Sequence, residues 1–306
     1  MEATSARMGT LKSNDHSYND SDQMPNELTF PFAHYPVPYY LWKGNWLADC
    51  RYETLEEEPP EPQRQQYVHR LLQTLLEGDL HHARLRRLES GAPFRVLSIG
   101  SGTGLWAHDM ASRHPNAEVV AMDLVQPAYE HDPPNYRSLS GVDFNEGDWG
   151  GLQEASFDYI HISMLCGRAT DWPALLRRAL WYLKPYTGVI EIVEMDWEPR
   201  SDPLPFPVSG NPLSRWYTDL RDASDRAGLP IAYPHSMEQF LKDAGFADVG
   251  HQELRCPYWG GGDPLDHRES AVAEGLSTST HVNFEDCGTS VYTTMALPHF
   301  VKHLGR

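Results

Sequence analysis

Val96-Leu97-Ser98-Ile99-Gly100-Ser101-Gly102-Thr103-Gly104 is a short apolar run that stops at three alternating glycines; from Leu105 to Arg113 a helical pattern follows, ended by Pro115. A strand that turns over glycine into a helix lets a ligand approach the backbone closely. It also aims the free N–H groups of a helix N-terminus at that ligand. Two phosphate-binding turns are excluded by spacing. A dinucleotide GxGxxG would need its third glycine at Leu105, and a P-loop would need a Gly-Lys-Ser/Thr ending that is absent. What remains is GxGxG.

Outward from this turn the chain alternates strand and helix. Strands are predicted at RVLSI from Arg95, EVVAM from Glu118, FDYIHIS from Phe157 and GVIEIVEM from Gly188, with a helix over Trp172–Leu183 closed by Lys184 and Pro185. Strands apolar on both faces, alternating with helices, predict an α/β fold: a doubly wound, mostly parallel sheet. A helix from Leu213 to Ala227 ends at Gly228. Ser236 and Gln239 read as a capping box opening a helix that ends at Gly245, and Phe246–Cys256 reads as a late strand. Further on, 268–276 reads as helical and SVYTTMA from Ser290 as a strand.

Upstream, residues 1–26 are polar and aperiodic and are expected to form a disordered tail. From Phe30 to Trp46 aromatics alternate with prolines, which forbid a regular helix but allow an extended segment to lie on another surface. Tyr39, Tyr40 and Trp42 are the expected substrate-binding residues of such a lid, the alternative being simple packing on a helix. After the EEEPPEP run from Glu56, the residues Tyr67, Val68, Leu71, Leu72, Leu75 and Leu76 recur at helical spacing up to Gly78. The expected organisation is thus a tail (1–26), an extension and lid (27–93), and a cofactor-binding domain (94–306).

The 306 residues carry 43 acidic and 25 basic side chains, a formal charge of −18, which disfavours nucleic acid as a partner. No apolar run approaches the roughly 20 residues of a membrane span, and no secretory leader is visible, so a cytoplasmic protein without a membrane role is expected. Cys50, Cys166, Cys256 and Cys287 form no CxxC pair, and the His81/His82 and His299/His303 pairs lack a third ligand at matching spacing; no metal is expected.

Two carboxylates extend the glycine turn into a nucleoside site. Asp123 follows the second strand, 19 residues after Gly104, where it can accept hydrogen bonds from a ribose diol. Asp148 and Trp149, expected at the end of a third strand, offer a carboxylate and an aromatic face to adenine. The alternative is that both acids are ordinary turn carboxylates.

This arrangement resembles the class I S-adenosylmethionine (SAM)-dependent methyltransferases, and more narrowly the fungal LaeA-like methyltransferase family. The narrower resemblance rests on SIGSGTGLWAHDMA, on DLVQP from Asp123, on FDYIHISML with CGRATDWPALLRRALWYLKP, on PLSRWYTDLRDASDRAG from Pro212 and on LKDAGFADV from Leu241. It implies SAM as cofactor. Gly100, Ser101, Gly102 and Gly104 would shape the methionine and ribose pocket, Asp123 would hold the ribose, Leu124 would lie on adenine, Asp148 and Trp149 would read its edge and face, and Met164 would line the methionine arm. The chain departs from the family where an acid two residues before the first glycine is replaced by Ser98, and where KPGG is replaced by Lys184-Pro185-Tyr186-Thr187.

Methyl transfer from a sulfonium mainly needs alignment in a dry site, and a base only when the acceptor must lose a proton. His161 on the fourth strand and Glu194 after the fifth are the expected catalytic residues, against the plainer readings of a core histidine and a solvated loop acid. The expected reaction is methylation of a small, secondary-metabolite-type acceptor. Two alternatives stand beside it: a LaeA-like regulator working in a protein complex, with a protein partner or as a homodimer and in the nucleus, and an enzyme that keeps bound SAM for a non-methylating pericyclic reaction.

Overall fold

The computed structural model describes residues 61–201 except 126, 128 and 130, residues 212–257, and the backbone of 291–299 and 301–303. The tail, the aromatic segment with Tyr39, Tyr40 and Trp42, and the helix expected over 268–276 lie outside these residues.

The strand before the glycines, β1 (Phe94–Ile99), pairs in parallel with β2 (Ala117–Asp123) on one side and β4 (Tyr159–Ser163) on the other. Outside β2 lies β3 (Tyr136–Ser140) and outside β4 lies β5 (Val189–Ser201), also parallel. Beyond β5 come β8 (Val291–His299) and then β7 (Gly250–Pro257), both antiparallel to their neighbours. The short β9 (Val301–His303) pairs with β5 and with β6 (Phe246–Ala247). The order is therefore β3-β2-β1-β4-β5-β8-β7, five parallel strands with an antiparallel edge pair. Chain order reverses between β1 and β4, and in open sheets a ligand crevice forms outside the carboxyl ends at such a point. The glycine turn stands there.

Helices cover both faces, which is why the central strands are mostly apolar on both sides. On one face, α3 (Leu105–Arg113) packs Ala107, Met110 and Ala111 with Val96, Val119 and Tyr159. On the same side α1 (Glu61–Leu75) lays Val68, Leu71, Leu72 and Leu75 with Val193 and Met195 of β5, and the one-turn α2 (Arg86–Glu89) buries Leu88. On the other face, α4 (Trp172–Tyr182) and α6 (Met237–Ala244) cover Leu97, Ile99, Ile160 and Ile162, and α5 (Pro212–Arg226) precedes α6 in the chain. The start of α4 is fixed by Asp171, whose side chain accepts the Ala174 N–H at 2.9 Å. Among the described residues no helix is long and apolar enough to cross a membrane.

Three details correct the sequence reading. The third strand ends at Ser140 rather than near Asp148, because Gly141 turns the chain at φ +78° and the Asp143 carboxylate then accepts the Asn145 N–H at 2.8 Å in a local turn. Ser236 sits at the N-cap of α6 without a side-chain capping bond, since Gln239 bonds Asp243 instead, so the capping box is not made. The late strand is two strands, split where Asp248 takes φ +54°.

Candidate functional site

Gly100, Gly102 and Gly104 take φ values of +64°, +57° and +76°. At all three a Cβ would also stand closer than 3.0 Å to a neighbouring side chain, at Gly104 2.9 Å from the Tyr136 hydroxyl. A Cβ on Gly100 would lie 2.5 Å from Leu165, and one on Gly102 would lie 2.5 Å from the Gln65 Oε1. The turn forms the floor of a cleft of about 700 Å³, open mouth included. Its walls come from His161, Ser163 and Met164 at the end of β4, and from Gln65 and His69 of α1, which lies across the turn. The Gln65 Oε1 accepts the Thr103 N–H at 2.8 Å, so the glycine turn just ahead of α3 is held from another helix.

The expected site residues separate into two groups. Gly100, Ser101, Gly102, His161 and Met164 line the cleft together. Met164 holds a left-handed φ of +57°, a conformation that costs a non-glycine residue energy and is concentrated at functional sites. The others stand outside the cleft walls. Gly104 is the N-cap of α3, and Asp123 turns its carboxylate onto the glycine turn, accepting the Gly102 N–H at 2.7 Å and the Val125 N–H at 3.1 Å. Leu124 is half-buried just after β2, and Asp148 is exposed. Trp149 is fully buried, stacked on Tyr182 at 5.2 Å between ring centroids. Its face is thus spent on the core.

Burial pushes the Asp123 carboxyl up, while the Gly102 and Val125 N–H groups oppose that shift. Its removal frees the backbone N–H that shapes the turn and deletes the acceptor expected for a ribose diol. Asp123→Ala is expected to weaken S-adenosylhomocysteine binding by about 1–3 kcal/mol in calorimetry. Unchanged affinity would take Asp123 out of the site.

The two expected catalytic residues are both buried, with different surroundings. His161 stacks on Trp106 at 3.7 Å, and its Nδ1 lies 3.4 Å from the Tyr159 hydroxyl, which also bonds the buried Glu191. Burial, with the nearby His81 and His69, pulls its pKa down to about 3, so the ring is neutral. Glu194 accepts the Leu165 N–H at 2.6 Å and the Cys166 N–H at 3.2 Å, and it does not line the cleft. Reasoning from sequence missed Gln65, His69, Trp106 and Arg168 as wall residues. Trp106 and Arg168 stood inside the quoted motifs, and Gln65 and His69 carried no signal of their own.

The cleft offers a ligand both polar atoms and open backbone. The His161 Nε2 and the Ser101 Oγ are buried at its surface without a protein partner, and the glycine backbone is open to close approach. Comparison with known proteins agrees with this geometry. Residues 62–251 match the methyltransferase domain family, a span that takes in nearly all of α1 and the five parallel strands. The secondary metabolism regulator LAE1 of Cochliobolus heterostrophus is 41% identical over 230 residues, 73% of this chain and 73% of its own. The protein-methionine methyltransferase laeA of Emericella nidulans is 37% identical over 204 residues, 65% of this chain, and the match spans 52% of that longer protein. Among solved structures, the YcgJ protein of Bacillus subtilis is similar at 17% identity and a TM-score of 0.47, over 78% of this chain and all of that one. A parallel sheet ordered around a GxGxG crevice, in a chain matched over most of its described length, makes this protein a member of the methyltransferase domain family, with S-adenosylmethionine as its cofactor.

Proposed function

We propose that the protein is a regulator of secondary metabolism that methylates a protein side chain, working in a complex with other proteins, in the nucleus rather than the cytoplasm. The observation that carries this reading is the 41% identity to LAE1 over nearly three quarters of both chains. The chemistry of the cleft supports it. No carboxylate is among the described residues lining the cleft, His161 is a neutral and weakly basic ring, and Glu191 and Glu194 are engaged with backbone N–H groups. Such a site suits an acceptor that loses no proton, and a thioether is one. The residues would then contribute alignment and dryness: Met164 and Leu72 present apolar surface, and the glycine turn holds the cofactor's backbone-facing side.

The experiment is incubation of the protein and a fungal extract with SAM labelled in its methyl group. Label is expected in a protein band, and peptide mass spectrometry is expected to place it on a methionine. Label confined to extracted small molecules would overturn this reading in favour of a metabolite acceptor. Bound cofactor with no S-adenosylhomocysteine formed would favour non-methylating chemistry instead.

A further inference from the structure

Three polar side chains stand together on the sheet face that α1 and α3 cover. His161 of β4 lies opposite Glu191 of β5 in the parallel register, and Tyr159 precedes His161 by two residues, so all three point to one side. Glu191 is fully buried, and its carboxylate accepts the His82 N–H at 3.1 Å and the Ala83 N–H at 2.7 Å. It also bonds the Tyr159 hydroxyl. An ionised carboxylate can only accept, so the single hydroxyl proton of Tyr159 is committed to Glu191.

This commitment fixes the next link. The Tyr159 oxygen has only lone pairs left, and the His161 Nδ1, 3.4 Å away, meets it as a donor. A neutral imidazole carries one N–H, so Nε2 is bare. The ring is held in that orientation by its stacking on Trp106, at 3.7 Å and 8° between planes, and Trp106 is itself anchored by its Nε1–H, which donates to the Leu80 carbonyl at 2.6 Å. Among the described residues nothing donates to the buried Nε2, and His161 lines the cleft. A buried acceptor without a partner is costly, and on the wall of a ligand cleft it marks the place of a donor. Tyr159 and Glu191 do not line the cleft, so they reach a ligand only through His161.

We propose that Glu191 and Tyr159 are positioning residues that fix His161 in its Nδ1–H tautomer, so that Nε2 takes a hydrogen bond from an N–H or O–H donor of the molecule bound in the cleft. Two bound molecules bring such donors: the cofactor, through its amino group, and the acceptor, through its own N–H or O–H groups. The inference stands whichever acceptor is methylated.

The test reads the tautomer by nitrogen NMR of the full chain carrying isotopically labelled histidine, with the His161 signals assigned by their loss in His161→Phe. Spectra are taken at about pH 8.5, where the Glu191 carboxyl, pushed up by burial to about 7, is ionised. In the unaltered protein Nδ1 is expected to carry the proton and Nε2 to be bare. Glu191→Gln keeps an oxygen for the Ala83 N–H but offers an amide N–H to Tyr159, which reverses the chain: Tyr159 then donates to Nδ1, and the proton moves to Nε2. Tyr159→Phe leaves Nδ1 without its acceptor, so a mixture of tautomers is expected, and this variant decides the matter if Glu191→Gln folds poorly. Calorimetry then names the source of the donor. A loss of about tenfold in S-adenosylhomocysteine affinity in Glu191→Gln, with affinity for the deaminated analogue held, identifies the cofactor's amino group. Unchanged affinity for both, with label transfer from SAM reduced about tenfold, identifies the acceptor. A bare Nδ1 in the unaltered protein, a tautomer unmoved in both variants, equal weakening of both ligands, or unchanged affinity together with unchanged label transfer would overturn the proposal.

Discussion

Gly102→Val leaves a folded chain that no longer binds S-adenosylhomocysteine measurably: a loss of about a hundredfold or more is expected in calorimetry, beside an unchanged far-ultraviolet circular dichroism spectrum. Three costs meet at this residue. Its φ of +57° is a conformation that β-branched side chains avoid, at roughly 1–3 kcal/mol. Its Cβ would come within 2.5 Å of the Gln65 Oε1 and 3.1 Å of the Gln65 Cδ, so Gln65 must swing away and give up the Thr103 N–H. The methyl groups would then fill the space that close approach of a ligand to the turn requires. None of these costs reaches the core beneath, where Val96, Leu97 and Ile160 are fully buried. A drop of a few degrees in melting temperature is expected and no loss of the fold. Normal binding by a folded Gly102→Val protein would refute the placement of the cofactor on this turn.

The same region shows what the sequence could and could not tell. The turn itself was legible because glycine at 100, 102 and 104 is a local requirement, met by three positive φ values within five residues. The parallel sheet was legible for a similar reason, since apolar strands alternating with helices leave few other packings. β3 was misjudged because its residues Tyr136–Ser140 are only half-covered and carry no apolar run, while the aromatic Trp149 nearby suggested a strand end. The stacking of Trp149 on Tyr182 was not legible, because the two are 33 residues apart and only the folded chain brings them together. Helix α1 was visible from its leucines, yet its role over the turn rests on Gln65 meeting Thr103 across 38 residues. Pairings of that kind have no period to read.

Glu194 is the position where the two kinds of reading give opposite experiments. As a general base it would be silenced by Glu194→Gln, with cofactor binding intact. The structure supports another outcome: its side chain is 1% exposed, faces the Leu165 and Cys166 N–H groups, and braces the loop whose Leu165 side chain packs where a Gly100 Cβ would stand. Burial pushes its pKa from 4.5 up to about 7. A carboxyl whose folded pKa lies above its unfolded value binds more protons in the native state between the two. Its contribution to stability is therefore fully present below about pH 4.5, is lost as pH rises through about 7, and is constant above that. Shifts of this size correspond to a few kcal/mol for a buried group. Glu191, also pushed up to about 7, acts in the same direction and remains in the variant. Glu194→Gln, which cannot titrate, is thus expected to flatten part of the fall in melting temperature between pH 5 and pH 7 while methyl transfer continues. Glu194→Ala, which leaves both buried N–H groups without an acceptor, is expected to cost about 2–5 kcal/mol in denaturant unfolding and to weaken cofactor binding as the loop under Gly100 relaxes. Abolished methyl transfer in Glu194→Gln, with the stability curve unmoved from that of the unaltered protein, would return Glu194 to a catalytic role.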